Sequence, residues 1–311
     1  MGRRVIELSH GVMTRPPGPD LARLGIAVIF ISLSGPMIAA TAAAPLAIAF
    51  WRCFIGSGLT GIWVLFRDRS GIRALTGREL RLTAFAGVLL GLHFATWIPS
   101  LWLTSIASST ALVATQPIWA AIIARALGIK IPRIVWIGIG ISLIGVIVLT
   151  GVDFSMDPTS LIGDALALLG AVFSAAYVTV VERVRQTVST STVTFVAYGV
   201  SALAVLPILI IAGQPLIGFS AQAWLLILGV TLGAQLLGHT LMSKVLKTTS
   251  ATVVSLAILL EMPGATLIAA VWLGQVPPLA LYPAAALIFA GLFVVIRASA
   301  PRGELVESPP V

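Results

Sequence analysis

Residues 108–117 read SSTALVATQP, and residues 253–263 read VVSLAILLEMP. The prolines that end these two stretches, Pro117 and Pro263, are 146 residues apart. Three further pairs of similar residues recur at the same spacing: His93 and His239, Gly128 and Gly274, and Thr104 and Ser250. The chain of 311 residues therefore contains an internal repeat, which predicts two halves of related structure.

Long apolar segments fill both halves. The chain is 58% hydrophobic and only 10% charged, with a mean hydropathy of +1.06, so a soluble domain of this composition could not solvate its surface. A helix needs about 20 mostly apolar residues to cross a bilayer. Ten such spans are predicted, at 21–41, 45–66, 80–103, 106–128, 133–152, 161–182, 190–212, 220–242, 250–273 and 278–297.

These spans predict an all-α membrane protein with ten transmembrane helices in two five-helix repeats. Because five is odd, the second repeat enters the membrane from the opposite side, so the repeats are inverted. The predicted domains are a cytoplasmic N-terminal tail, the two repeats and a disordered cytoplasmic C-terminal tail, at 1–20, 21–152, 161–297 and 298–311.

The basic residues indicate the orientation. Eighteen of the nineteen Lys and Arg residues fall in six groups, at 3–23, 67–81, 125–133, 183–185, 244–247 and 297–302. The intervening hinges carry none and lie near 41–45, 104–105, 151–160, 213–218 and 274–278. The positive-inside rule then places both termini in the cytoplasm of a bacterial-type inner or plasma membrane. The net charge of +8 is explained by contact with anionic lipids of the bilayer, and nucleic acid is not expected as a partner.

Several of these stretches resemble motifs of the EamA-type drug/metabolite transporters. Residues 104–113 with 116–119 resemble the helix-4 motif, and Ala49-Phe50-Trp51-Arg52 resembles the helix-2 motif. Glu261 and Pro263 resemble the Glu-Pro of helix 9, although Met262 separates them here. The resemblance implies a central cavity lined mainly by helices 1, 3, 4, 6, 8 and 9, with helices 5 and 10 at the periphery.

Two charged residues lie within the predicted spans and are candidates for substrate binding or coupling. Glu261 lies about 11 residues into helix 9, near the bilayer centre at ~1.5 Å per residue, where a carboxyl group must face a cavity or a partner. It is interpreted as a proton-coupling or substrate-amine site, or as a neutral carboxyl bonded to a neighbouring helix. Arg52 is the one basic residue away from the cytoplasmic side, and three roles are open. It binds a substrate carboxylate, snorkels outward, or acts as a structural pin.

Uncharged polar and aromatic residues complete the candidate site. His93 and His239 are either part of a pH-sensitive cavity wall or partners in interhelical hydrogen bonds. Trp97 and Tyr177 either contact an apolar substrate or pack between helices. Gln116 lies beside a proline. Pro36, Pro117 and Pro263, with Pro99 acting alike, are interpreted either as helix breaks that expose backbone to a midplane site or as plain kinks that the packing tolerates.

The leading functional prediction is a secondary active transporter that exports a small metabolite, amino-acid-like or otherwise amphipathic, by alternating access. Its partners are a small-molecule substrate, the lipid bilayer and either protons or a substrate gradient, because the sequence has no nucleotide-binding loop. The alternative is a lipid flippase, a scramblase or a drug exporter on the same fold. No catalytic constellation, cofactor motif or metal-ligand spacing is visible, so an enzyme is not expected; the sequence leaves monomer and homodimer open.

Overall fold

The computed structural model describes residues 16–73, 75–104, 106–150, 157–274, 277 and 279–299, and its regular elements there are all helical. The first repeat contains α1 (Gly18–Ile31), α2 (Ser34–Ala39), α3 (Pro45–Arg67), α4 (Arg69–Arg73), α5 (Gly77–Leu103), α6 (Ile106–Val113), α7 (Gln116–Ala126) and α8 (Arg133–Thr150). The second contains α9 (Pro158–Val184), α10 (Thr190–Ile211), α11 (Ala221–Val230), a π-helix (Thr231–His239), α12 (Thr240–Val245), α13 (Ala251–Ile258), α14 (Glu261–Leu273) and α15 (Leu281–Ala298).

Within the described residues, nine helical segments are long and apolar enough to cross a membrane. They match nine of the predicted spans to within a few residues, and the chain is therefore an integral, multi-pass membrane protein. The tenth predicted span, 106–128, is occupied by α6 and α7, each of which is too short to cross alone. The first helix begins at Gly18, inside the predicted tail 1–20, and the remainder of both predicted tails lies outside the described residues, apart from the ends at 16–17 and 298–299.

Helix interruptions recur at the repeat spacing. α6 ends at Val113 just before Pro117, and α13 ends at Ile258 just before Pro263. A third interruption separates α1 from α2, ahead of Pro36. Proline has no N–H to donate and its ring clashes with the carbonyl four residues earlier, so each break lies where its proline disfavours the helix. Pro99 behaves differently from the prediction, because α5 continues through it without a break.

Two glycines end equivalent helices in the two repeats. Gly128, after α7, has a φ of +89°, and Gly274, after α14, has a φ of +64°. Only glycine adopts this left-handed conformation without a Cβ penalty, which makes it a common helix-ending residue. The predicted pairing of these two positions therefore corresponds to one shared backbone feature.

The last helices of the repeats, α8 and α15, pack against each other at very short range. A Cβ atom on Gly291 would lie 2.3 Å from the carbonyl oxygen of Gly138, so only glycine fits there. Ser142 Oγ also donates a hydrogen bond to the Ile288 carbonyl oxygen at 3.3 Å. Small residues thus allow the close packing of α8 against α15. Gly140 lies outside this contact, because a Cβ atom added there would meet nothing within 4 Å.

Side-chain contacts join the helices at both ends of the bundle. At the end that carries the basic groups, here called the basic end, Asp68 accepts a hydrogen bond from Ser189 Oγ. At the opposite end, which carries the uncharged hinges and is here called the neutral end, the Leu46 N–H donates to Gln214 Oε1 at 3.0 Å. Trp51 Nε1 donates to the Leu216 carbonyl oxygen at 2.7 Å at that same end.

Candidate functional site

A cavity of about 590 Å³ lies between the two repeats. All three helix interruptions contribute residues to its wall, among them Pro36, Gln116 and Leu259. Further lining residues come from α5, α9, the π-helix and α14. The six spans that the resemblance names therefore do line a cavity. The fifth span, which is α8, adds Leu149 and Thr150 at its end.

The cavity reaches the neutral end and not the basic end. Its outermost lining residues, Ala39, Trp102 and Thr150, each lie within a few residues of an uncharged hinge, and Trp102 is 51% exposed. Towards the basic end the bundle is filled by fully buried apolar side chains, among them Val181 and Leu246. Among the described residues, the cavity therefore extends towards the neutral end, and packed apolar side chains separate it from the basic end.

The ionisable side chains among the described lining residues are Glu261, His93 and His239. Glu261 lies in the first turn of α14 and is half-buried. Within the described part of the chain it makes no hydrogen bond or salt bridge, but its charge interacts with that of Arg52. Glu261 is thus a carboxyl group at mid-membrane with its functional atoms free to meet a ligand or a proton.

The two histidines differ in their surroundings. His93 Nδ1 lies 2.9 Å from the Gly170 carbonyl oxygen, and because a carbonyl only accepts, Nδ1 carries the proton in this bond. The indole of Trp97 stacks on the His93 ring, with centroids 5.7 Å apart and planes 8° apart. His239 lies at the end of the π-helix, where its ring meets Phe94 edge-on at 6.4 Å.

Arg52 lies directly behind the wall that these residues form. Its side chain is fully buried, which contradicts the interpretation that it snorkels outward. Its Nε donates to Gln235 Oε1 at 2.6 Å, and its Cζ lies 4.2 Å from the ring centroid of Phe94, a lining residue. Nη1 and Nη2 have no hydrogen-bond partner among the described residues.

Gln235 accepts hydrogen bonds from Arg52 and Tyr198, which occupy equivalent positions in the two repeats. Tyr198 lies 146 residues after Arg52, and its hydroxyl donates to the Gln235 carbonyl oxygen at 3.1 Å. The π-helix makes this possible, since its i→i+5 pattern displaces carbonyls from their ordinary partners. Gln235 and Phe94 were not among the predicted site residues, although a glutamine in the middle of an apolar span was a usable signal.

The remaining predicted residues are divided between the wall and its support. Gln116 Nε2 donates to Ser255 Oγ at 3.0 Å, which connects the two repeats beside the cavity. Trp97 lines the cavity, whereas Tyr177 is buried one turn below the lining residue Ser174 and does not reach the wall. Within the described ranges, no group of three His, Cys, Asp or Glu residues is placed to hold a metal ion.

The sequence matches the EamA-like transporter family twice, over residues 24–151 and 161–297. A solved structure titled "Crystal structure of protein" has the same fold, with a TM-score of 0.74 at 20% sequence identity over 89% of this chain and 96% of that chain. No curated protein matches the chain. The two family matches cover most of the sequence, one for each repeat.

Proposed function

The chain belongs to the EamA-like transporter family, and we propose that it exports a small amphipathic metabolite across the membrane by alternating access. The observation that carries this proposal is the cavity between the repeats, which extends towards the neutral end and is separated from the basic end by packed apolar side chains. A carrier needs a binding site that one set of movements exposes to each side in turn. A cavity bordered by helix breaks from both repeats meets that need.

The orientation follows from the charges. We place the basic end in the cytoplasm, because short loops rich in Lys and Arg are retained there. α6 and α7 then form the tenth crossing, and the two five-helix halves are inverted relative to each other. In this orientation the described conformation faces outward, which is the state from which an exporter releases its substrate.

The lining of the cavity favours an amphipathic substrate. Its surface is mostly apolar, with aromatic rings from Phe94, Trp97 and Trp102 and a few polar groups near the centre. Such a surface binds an apolar body, while the central polar groups fix a polar head. A volume of about 590 Å³ is sufficient for a small metabolite.

Glu261 is proposed as the group that couples transport to protons. It is a carboxyl group on the cavity wall without a salt-bridge partner among the described residues, so proton uptake and release change the charge of the cavity. A carboxyl group within a transmembrane helix is costly and marks a coupling or substrate site by default. Exchange of substrate for a proton at this position would let the proton gradient drive export.

Counterflow in proteoliposomes tests the proposal. Proteoliposomes that contain the protein are preloaded with one unlabelled member of a panel of amino acids, nucleosides and simple metabolites. Uptake of the same compound in labelled form is then followed. Saturable exchange of one class is expected and identifies the substrate. No exchange by correctly inserted, folded protein would refute metabolite export and favour the alternative of lipid or drug transport.

Glu261→Gln separates coupling from binding. The variant should retain counterflow, which needs no net proton movement, and should lose the stimulation of uptake by an imposed pH gradient. Asp164→Asn is the matched control, because Asp164 is a carboxylate held by Thr104 Oγ1 at 2.7 Å and is not part of the wall. Full stimulation by the pH gradient in Glu261→Gln would remove Glu261 from the coupling mechanism.

A further inference from the structure

Arg52 carries a charge that no salt bridge among the described residues compensates, although the charge of Glu261 interacts with it across the cavity wall. It is fully buried, and no described carboxylate forms a salt bridge with it. Burial of a charge is costly unless the charge is paired and its hydrogen-bonding groups are satisfied. Arg52 has only its Nε bonded, by Gln235 Oε1 at 2.6 Å, and one face covered by the Phe94 ring.

The two free nitrogens form the end of the guanidinium fork. Nη1 and Nη2 are buried and lack a partner among the described residues. This pair of donors matches the two oxygens of a carboxylate, which it binds through two parallel hydrogen bonds. The bond from Nε to Gln235 fixes the fork from behind and leaves that pair available.

A purely structural role does not explain why the residue is charged. The equivalent position of the second repeat is Tyr198, which is also fully buried and also bonds to Gln235. Arg52 on α3 and Tyr198 on α10 thus occupy equivalent positions in one interface, and one of the two positions is held by a neutral residue. The charge of Arg52 is an addition that the fold alone does not require.

A second unpaired donor lies on the cavity wall in front of Arg52. Trp97 lines the cavity, and its Nε1 is buried without an acceptor among the described residues. An indole N–H can only donate, so both unsatisfied groups call for an acceptor. Trp97 and Phe94, which covers Arg52, are one turn apart on α5.

We propose that Arg52 is the anion-binding residue of the transporter and that the substrate carries a carboxylate, which pairs with Nη1 and Nη2 when the Phe94 ring turns aside. This inference rests on the proposed transport function and adds the substrate's chemical class. The carboxylate enters the site beside the Phe94 ring, and the apolar body of the substrate remains against the aromatic wall. Gln235 is a positioning residue that orients the guanidinium.

Matched ligand pairs test the proposal on the purified full-length protein. The probes are leucine against leucinamide and 3-phenylpropionate against 3-phenylpropionamide, so that each pair differs in the carboxylate. Binding is measured from the increase in Tm with ligand concentration, which does not depend on transport. The wild-type protein should bind at least one carboxylate roughly 10- to 100-fold more tightly than its carboxamide, as expected for paired charge-assisted hydrogen bonds.

Variants then assign that preference to Arg52. Arg52→Gln should abolish the preference, and Arg52→Lys should retain part of it, because a lysine keeps the charge but lacks the fork. Arg297→Gln is the matched control, since Arg297 also stacks on a phenylalanine, with its Cζ 5.0 Å from the Phe293 centroid, but lies away from the cavity. The control should retain the wild-type preference.

The outcomes distinguish this inference from the proposed function. Equal affinity for carboxylate and carboxamide in the wild type overturns the inference, even if Arg52→Gln does not fold. If Arg52→Gln or Arg52→Lys folds and loses affinity for the carboxylate and the carboxamide equally, the inference is also overturned and Arg52 is a structural pin. Counterflow of an uncharged substrate without carboxylate binding would leave the transporter proposal standing and remove the anion site.

Discussion

One hydrogen bond between two helices contributes to the closed basic end. Glu182, in the last turn of α9, accepts from the backbone N–H of Ala251 at 2.9 Å, and Ala251 is the first residue of α13. The first N–H groups of a helix have no intrahelical acceptor, and Ala251 is only 3% exposed. Glu182→Ala leaves this buried donor unsatisfied, at a cost of about 1–3 kcal/mol.

That cost applies to the sealed conformation. When the basic end opens, water reaches the Ala251 N–H and the penalty disappears. Glu182→Ala should therefore shift the equilibrium between the sealed and the open basic end by roughly 5- to 150-fold towards the open state. If that state is the inward-facing one, Glu182 stabilises the outward-facing conformation.

Thiol labelling measures the shift. Cys53, the single native cysteine, is replaced by serine, and a reporter cysteine is placed at Val181, which is fully buried beneath the seal. A membrane-impermeant reagent added on the basic side should label the reporter faster in Glu182→Ala, up to the factor given above. Asp164→Ala is the control, because it removes a carboxylate from the same helix at the neutral end. An unchanged rate in Glu182→Ala, or an equal rise in the control, would refute a role for this bond in the seal.

Two further predictions concern stability, and thermal unfolding in detergent measures both. Although partial burial acts to raise the pKa of Asp68, hydrogen bonds from the hydroxyl groups at 189–192 and one backbone N–H lower it below its usual value. The carboxylate therefore stabilises the fold at neutral pH, and this contribution is lost as the pH falls through the lowered pKa. Asp68→Asn should cost about 1 kcal/mol at pH 7, because the site is partly exposed, and this cost should shrink as the pH falls through the lowered pKa of Asp68. Gly291→Ala should destabilise by about 1–3 kcal/mol, because its Cβ would lie 2.2 Å from Ser142 Oγ, whereas Gly140→Ala should stabilise by about 0.5–1 kcal/mol. A pH-independent difference for Asp68→Asn, or equal Tm changes for the two alanine variants, would contradict these assignments.

The sequence predicted positions along the helices well. Nine of the predicted spans correspond to helical segments long enough to cross a membrane, because the length and hydropathy of a span are local properties. The breaks beside Pro36, Pro117 and Pro263 follow from the missing N–H of proline, which is also local. His93 and Glu261 could be placed at mid-membrane for the same reason.

Rotation about the helix axis could not be predicted. Arg52 and Tyr177 were both candidates for substrate contact, yet Arg52 lies behind the Phe94 ring and Tyr177 lies below the wall. Which face a residue presents depends on the packing of neighbouring helices, and an almost uniformly apolar span carries little periodic signal for it. The π-helix was missed because nothing in the composition of 231–239 separates an i→i+5 pattern from a regular helix.

The comparison of equivalent positions separates structural from functional demands. Where the two repeats need the same backbone geometry, they retain the same residue, as with Pro117 and Pro263 at the helix breaks. Both charged residues of the site have neutral counterparts 146 residues away, Tyr198 for Arg52 and Thr115 for Glu261. A residue type that the fold requires should occur in both repeats. A substrate has no twofold symmetry, so it contacts each repeat through a different chemical group. The first repeat thus places a cation behind the cavity wall and the second a carboxyl group on it, and we propose that this pair orients a substrate with unlike ends.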